Sequence, residues 1–101
     1  MEKIYIIADI HTVSAFRISG VEGLIAGPDN APAKLEEVIK KNDAAIIIMT
    51  NDLTDNLQER IKDINLNMPS PVVIEIPGID DTKGFRRSVM SSVTEALGIS
   101  L

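Results

Sequence analysis

At 101 residues and 11.0 kDa the chain is the length of one domain, and its 45% apolar and 25% charged residues are the proportions of a globule, which excludes disorder as the default state. The absence of cysteine and the single histidine, His11, remove disulfides, thiolate zinc sites and thiol nucleophiles. Ten basic against fifteen acidic residues give a net charge of -5, which argues against nucleic acid as a partner, since phosphate binding needs clustered Lys and Arg. The longest apolar run, 44–49, is six residues where a spanning helix needs about 20, and Met1-Glu2-Lys3-Ile4 lacks the pattern of a signal peptide, so a cytoplasmic protein without membrane insertion is expected.

Taken in chain order, residues 4–8 read as a first strand, continuously apolar and rich in β-branched residues as in strands buried on both faces. A short helix follows, with Thr12 as its expected N-cap, Val13 and Phe16 facing the sheet and Gly20 at the exit. A second strand is predicted at 23–26. The second helix has Asn30 as N-cap, Pro32 in the first turn, Leu35, Val38 and Ile39 on one face, and Lys40 and Lys41 at its negative end. A third strand covers 44–49. A single amphipathic helix after Thr50 carries Leu53, Leu57, Ile61 and Ile64 at spacings of four, four and three, and stops before Met68-Pro69-Ser70-Pro71. The fourth strand is 72–76, in which Glu75 needs a partner. A loop from Pro77 to Thr82 leads to a last helix from about Lys83, with Phe85, Val89, Val93 and Ala96 or Leu97 on one stripe and Gly98 at its end. Alternating strands and helices predict an α/β fold: a single-domain, receiver-like (Rossmann-like), three-layer architecture with a four-stranded parallel sheet flanked by helices and a C-terminal helix. Within it, residues 1–78 form the core and 79–101 a linker and C-terminal helix of the same domain.

A parallel sheet of this kind binds ligands outside the carboxyl ends of its strands, an edge that here offers Asp9, His11 and Thr12, then Thr50, Asn51 and Asp52, then Pro77 and Gly78. A nucleotide fingerprint is missing, because Asp9-Ile10-His11-Thr12 has no glycine to admit a pyrophosphate. A receiver resembling the response regulators would need an acidic pair after the first strand, an Asp ending the third and a Lys ending the last. Asp9 stands alone, and the third and last strands end in Met49-Thr50 and Ile76-Pro77. A signalling or small-ligand domain using Asp9, Thr50 and Asp52 is therefore the alternative, and Asp52 otherwise serves the positive end of its helix. His11 lacks the partners of a general base and reads as a solvated residue. Electrostatically, Lys83, Arg86 and Arg87 against Glu95 give residues 83–101 a net charge of 3 - 1 = +2, leaving -5 - 2 = -7 on residues 1–82. A movable or docking helix of opposite charge to the body follows as one reading.

Asp9-x-x-Thr12-Val13-x-x-Phe16-Arg17-Ile18-x-Gly20 resembles the D-x-x-T-V-x-G-F-R-L-x-G stretch of the F subunit of the V-type and archaeal-type rotary ATPases. The resemblance continues through Ile47-Ile48-Met49-Thr50, through Pro71-Val72-Val73-Ile74-Glu75-Ile76-Pro77-Gly78, similar to P-x-V-x-E-I-P-G, and to Ala96-Leu97-Gly98-Ile99, with Ala15 departing where the family often has Gly. It implies a non-catalytic protein without cofactor, one copy per complex. Such a protein binds the coiled-coil D subunit in the central stalk and meets the catalytic A/B hexamer transiently. It helps couple ATP synthesis or hydrolysis to proton or sodium transport, with a regulatory C-terminal helix, peripheral to the membrane. By position, Phe16, Arg17, Ile18, Phe85, Arg86 and Arg87 are the expected partner contacts, and Pro77 and Gly78 the hinge.

Overall fold

The computed structural model describes residues 2–77. Its elements are β1 (Lys3–Ala8), α1 (Ile10–Arg17), β2 (Glu22–Ile25), α2 (Ala31–Lys41), β3 (Ala44–Thr50), α3 (Asn51–Thr54), α4 (Gln58–Asn67) and β4 (Val72–Ile76). The strands form one parallel sheet in the order β2-β1-β3-β4, flanked by helices on both faces, as the α/β reading expects. The predicted last helix lies outside the described residues.

The sheet forms because β-branched residues fill both of its faces. Ile6, Ala8, Ile46, Ile48, Ile74 and Ile76 are buried on one side, where Val13 and the half-buried Phe16 of α1 join them. Tyr5, Ile7, Ile47, Met49 and Val73 point to the other, under Leu35 and Val38 of α2 and Ile61 and Ile64 of α4. Each such aliphatic side chain contributes roughly 1.5–3 kcal/mol relative to exposure. The two faces also follow from handedness: β1 to β2 steps outward one way, whereas β2 to β3 and β3 to β4 step the other way. Right-handed crossovers then put α1 on one face and α2 with α4 on the opposite one.

The helix ends depart from expectation in two places. The N-cap of α1 is Asp9, not Thr12: its carboxylate accepts from the backbone N–H groups of His11, at 3.0 Å, and Thr12, at 3.2 Å. Thr12 lies inside the helix and is buried, its hydroxyl donating to Asp9 at 2.6 Å. The single helix expected after Thr50 is two helices, α3 and α4, broken at residues 55–57. Thr54, Asp55 and Asn56 are poor helix interiors because their side chains compete for backbone groups. Accordingly, the Thr54 hydroxyl donates to the Asn51 carbonyl and Gln58 Nε2 donates to the Thr54 carbonyl.

Asn30 does precede α2, but its side chain makes no bond into the helix and instead accepts from Gly27 N–H at 2.8 Å. At the other end of α2, Asn42 takes the left-handed conformation, φ 55°. Gly20, with φ 82°, makes the exit from α1 as expected, its N–H donating to the Arg17 carbonyl. Across the second face Arg60 of α4 grips Glu36 of α2 with two bonds, at 2.8 and 2.9 Å, and Asp63 with a third. Both partners of the Glu36 pair are more than a third exposed, so it fixes geometry more than it adds stability.

Candidate functional site

The carboxyl ends of the strands are the first place to expect chemistry, and at the end of β1 the carboxylate is already committed. Both oxygens of Asp9 serve the start of α1. Burial pushes this carboxyl up, but the bonds from the Thr12 hydroxyl and from the Thr12 and His11 amides outweigh it and hold the pKa below the ordinary carboxylate range. A carboxylate used in this way is a structural cap rather than a free ligand.

Asp52 is exposed in the first turn of the four-residue α3, the helix-end position foreseen for it. His11 is exposed, as expected of a solvated residue, and lies in the first turn of α1. Thr50 is fully buried, and its hydroxyl has no hydrogen-bond partner among the described residues. Among the described residues no group of three or more His, Cys, Asp or Glu side chains could hold a metal ion. Glu75 finds the partner that its strand position demands in the side-chain amide of Gln58.

The α1–β2 side is different. Arg17 ends α1 and Ile18 is its C-cap, 89% exposed. Ile10, at the start of the same helix, and Ile25, at the end of β2, are 55% and 46% exposed. Phe16 is turned the other way, half-buried against the sheet. The structure therefore brings Arg17 and Ile18 to the surface together and leaves Phe16 beneath them as support. Pro77 follows β4 directly, whereas Gly78, Phe85, Arg86 and Arg87 lie outside the described residues.

Gly23 is what lets α1 lie on β2, a role that the sequence reading misses. A Cβ at this position would stand 2.5 Å from Val13 Cγ1 and 3.3 Å from Arg17 Nε. A glycine inside a strand is itself the available signal for such an approach. Beyond this side, an open cleft of about 400 Å³ at the amino ends of β1 and β2 is lined by Glu2, Lys3, Ser19 and Glu22 among others. Among the described residues no helix is long and apolar enough to cross a membrane.

Comparison with known proteins places this architecture. A sequence profile described as ATP synthase (F/14-kDa) subunit matches residues 4–95. The chain is 28% identical to the F subunit of the A-type ATP synthase of Thermococcus kodakarensis over 98% of its own length and 97% of the relative's. It is 36% identical to the corresponding A-type F subunit of Methanothermobacter thermautotrophicus over 74% of this chain and 72% of the relative. To the F subunit of the V-type ATP synthase of Clostridium botulinum it is 26% identical over 99% and 97% of the two chains. With a match spanning nearly the whole chain on a parallel α/β body, this protein belongs to the F-subunit family of the A-type and V-type ATP synthases, accessory components of that complex.

Proposed function

We propose that this protein is a non-catalytic part of the central stalk, binding the coiled-coil D subunit through the α1–β2 side of its sheet. The observation that carries the proposal is the pairing of Arg17 with the 89% exposed Ile18 at the end of α1. A large aliphatic side chain held in water beside a cation suits a protein interface, where apolar area supplies affinity and charge sets orientation. In this arrangement Phe16 supports the contact from below rather than making it.

The C-terminal segment is the regulatory element in this proposal, leaving the body at Pro77 and Gly78. In the sequence Phe85, Val89, Val93 and either Ala96 or Leu97 recur at helical spacing, an apolar stripe suited to packing on this sheet or on a partner. Arg86 and Arg87 then meet the A/B hexamer when the segment leaves the body. One copy per complex, without a cofactor, transmits rotation between ATP turnover and proton or sodium transport, at the cytoplasmic side and peripheral to the membrane.

Titration calorimetry against the coiled-coil D subunit of the same genome tests the stalk assignment. One-to-one binding with a negative heat-capacity change is expected, and no binding between two folded partners refutes it. Ile18→Asp is expected to weaken binding at least tenfold, because about 1.4 kcal/mol of buried apolar contact is lost. Arg86→Glu with Arg87→Glu is expected to change the ATPase rate of the assembled complex, and an unchanged rate in a fully assembled complex refutes the role given to the segment.

A further inference from the structure

The two outer edges of the sheet are finished differently. On β4, the side chain of Asn65 closes the edge at its centre: Val73 N–H donates to Asn65 Oδ1 at 2.8 Å, and Asn65 Nδ2 donates to the Val73 carbonyl at 3.1 Å. One amide side chain thus occupies the place that the peptide group of a further strand would take.

On β2 the phase of the ladder is set by Ala26, whose N–H donates to the Ala8 carbonyl at 2.9 Å. Backbone groups of successive residues alternate in direction, so Glu22, Leu24 and Ala26 face β1, and Gly23 and Ile25 turn their N–H and C=O groups outward. The Gly23 carbonyl accepts from Arg17 Nη2 at 3.5 Å, the outer limit of a hydrogen bond, in an exposed position. No described residue bonds the Gly23 N–H or either backbone group of Ile25. Natural edges are blunted by short length, charge, Pro or a bulge; β2 is short, at four residues, and carries one charge, Glu22, but Glu22–Ile25 has no Lys, Pro or bulge. Among the described residues, the one side chain that bonds an outward backbone group of β2 is Arg17, whose exposed guanidinium can swing away.

We propose that β2 is a docking edge for an extended segment of the coiled-coil stalk partner, which adds as a fifth strand outside Gly23 and Ile25 and releases Arg17. This rests on the stalk assignment and names its mode of contact. The exposed Ile25 and Ile18 flank the edge and supply apolar contact. The exposed acids Glu22 and Asp29, at and beyond the two ends of β2, select basic residues on the incoming strand. A second copy of this chain fits worse, since it brings another net charge of -5 to the same edge.

Amide hydrogen exchange by NMR, on the free full-length protein and on its complex with the D subunit of the same genome, tests the proposal. In the complex the Gly23 and Ile25 amides are expected to exchange about a hundredfold more slowly, while Leu24, already bonded to β1, changes little. A complex that forms with Gly23 and Ile25 exchanging as before overturns the docking edge and leaves the stalk assignment standing. Failure of the wild-type proteins to bind overturns both. Slowing that emerges in the free protein as its concentration rises assigns the edge to self-pairing and overturns the proposal. Ile25→Pro removes an outward N–H without touching the ladder to β1 and is expected to weaken binding at least about tenfold. Binding within twofold of wild type by a folded Ile25→Pro protein overturns the proposal, and the exchange pattern decides alone if that variant does not fold.

Discussion

Gly23→Ala adds one methyl group at the most crowded backbone position of the α1–β2 contact. The new Cβ would lie 2.5 Å from Val13 Cγ1, 3.3 Å from Arg17 Nε and 3.6 Å from Ile6 Cγ2. Val13 cannot turn aside, because it is fully buried and its β-branched side chain has one favoured rotamer in a helix. The helix must therefore lift from the sheet, an overpacking cost of roughly 1–3 kcal/mol. Alanine also restricts the unfolded chain, which returns about 0.4–1 kcal/mol. The net expectation is a loss of about 1–2 kcal/mol, or a Tm lower by roughly 5–10 °C for a domain of this size. Urea unfolding should show a lower midpoint at unchanged slope. Adding Val13→Ala should recover part of the loss, giving a coupling of about 0.5–3 kcal/mol in a double-mutant cycle. Gly27, whose Cβ would meet nothing within 4 Å, is the control, and Gly27→Ala should be neutral or stabilising. A Gly23→Ala protein as stable as Gly27→Ala would refute the close approach.

Thr50→Val replaces a buried hydroxyl that has no partner among the described residues by a methyl group of the same shape, so a gain of about 1 kcal/mol is expected in thermal unfolding, and a loss would mean that the hydroxyl is satisfied after all. The single tyrosine, Tyr5, has its pKa pushed up to about 12 by burial and by its bond to Asp43 at 2.8 Å. Absorbance titration should therefore find the folded protein un-ionised at pH 10; because the folded pKa lies above the unfolded one, the stabilising contribution is complete below about pH 10 and is lost as pH rises towards 12. For Asp9 the sign is opposite: its folded pKa is depressed, so its contribution is present above the ordinary carboxylate range and is lost as pH falls through the folded value. Asp9→Ala should cost about 0.5–2 kcal/mol at neutral pH and flatten the acid limb of the stability curve, and an unchanged limb would contradict the capping role.

Much of the fold is legible in the sequence because the strands and α2 carry their own patterns. The runs Ile4 to Ala8 and Ala44 to Met49 are apolar throughout and rich in β-branched residues, and a sheet covered on both faces buries most of each. The break between α3 and α4 is not legible in the same way. Leu53, Leu57, Ile61 and Ile64 are all buried, so the apolar spacing continues across residues 55–57 as though the helix did. The cap of α1 is ambiguous for a different reason: Asp9 and Thr12 both favour N-caps, and they stand three residues apart at the start of one helix. What decides is that the helix begins two residues after β1 ends, which leaves Asp9 at the entry and draws Thr12 inside. Partner contacts are the least legible feature. Of the proposed contacts, Ile18 is named in the sequence only through the resemblance and Ile25 not at all, and the fold reveals that both face water.

The same strand order in a receiver would gather acids at the carboxyl ends of its strands, and here the hydrogen bonds lead elsewhere. Asp9 is consumed in holding α1, Thr50 is sealed in the sheet, and Asp52 stands in water on a single helical turn. A carboxylate that gave up its cap to bind a cation would leave the amides of His11 and Thr12 without an acceptor, which costs about 1–3 kcal/mol for each one buried. That cost opposes phosphoacceptor chemistry at Asp9. It also bears on the stalk assignment, because the cap fixes where α1 begins, and α1 in turn carries Arg17 and Ile18 to the side of the open edge. A residue at the place where related architectures do chemistry thus serves here to aim a surface. Asp9→Ala, by loosening α1 on β2, should therefore weaken binding to the coiled-coil stalk partner although Asp9 lies at the opposite end of the helix from Ile18. Calorimetry with a folded Asp9→Ala protein that binds as tightly as wild type would break this link between the cap and the interface.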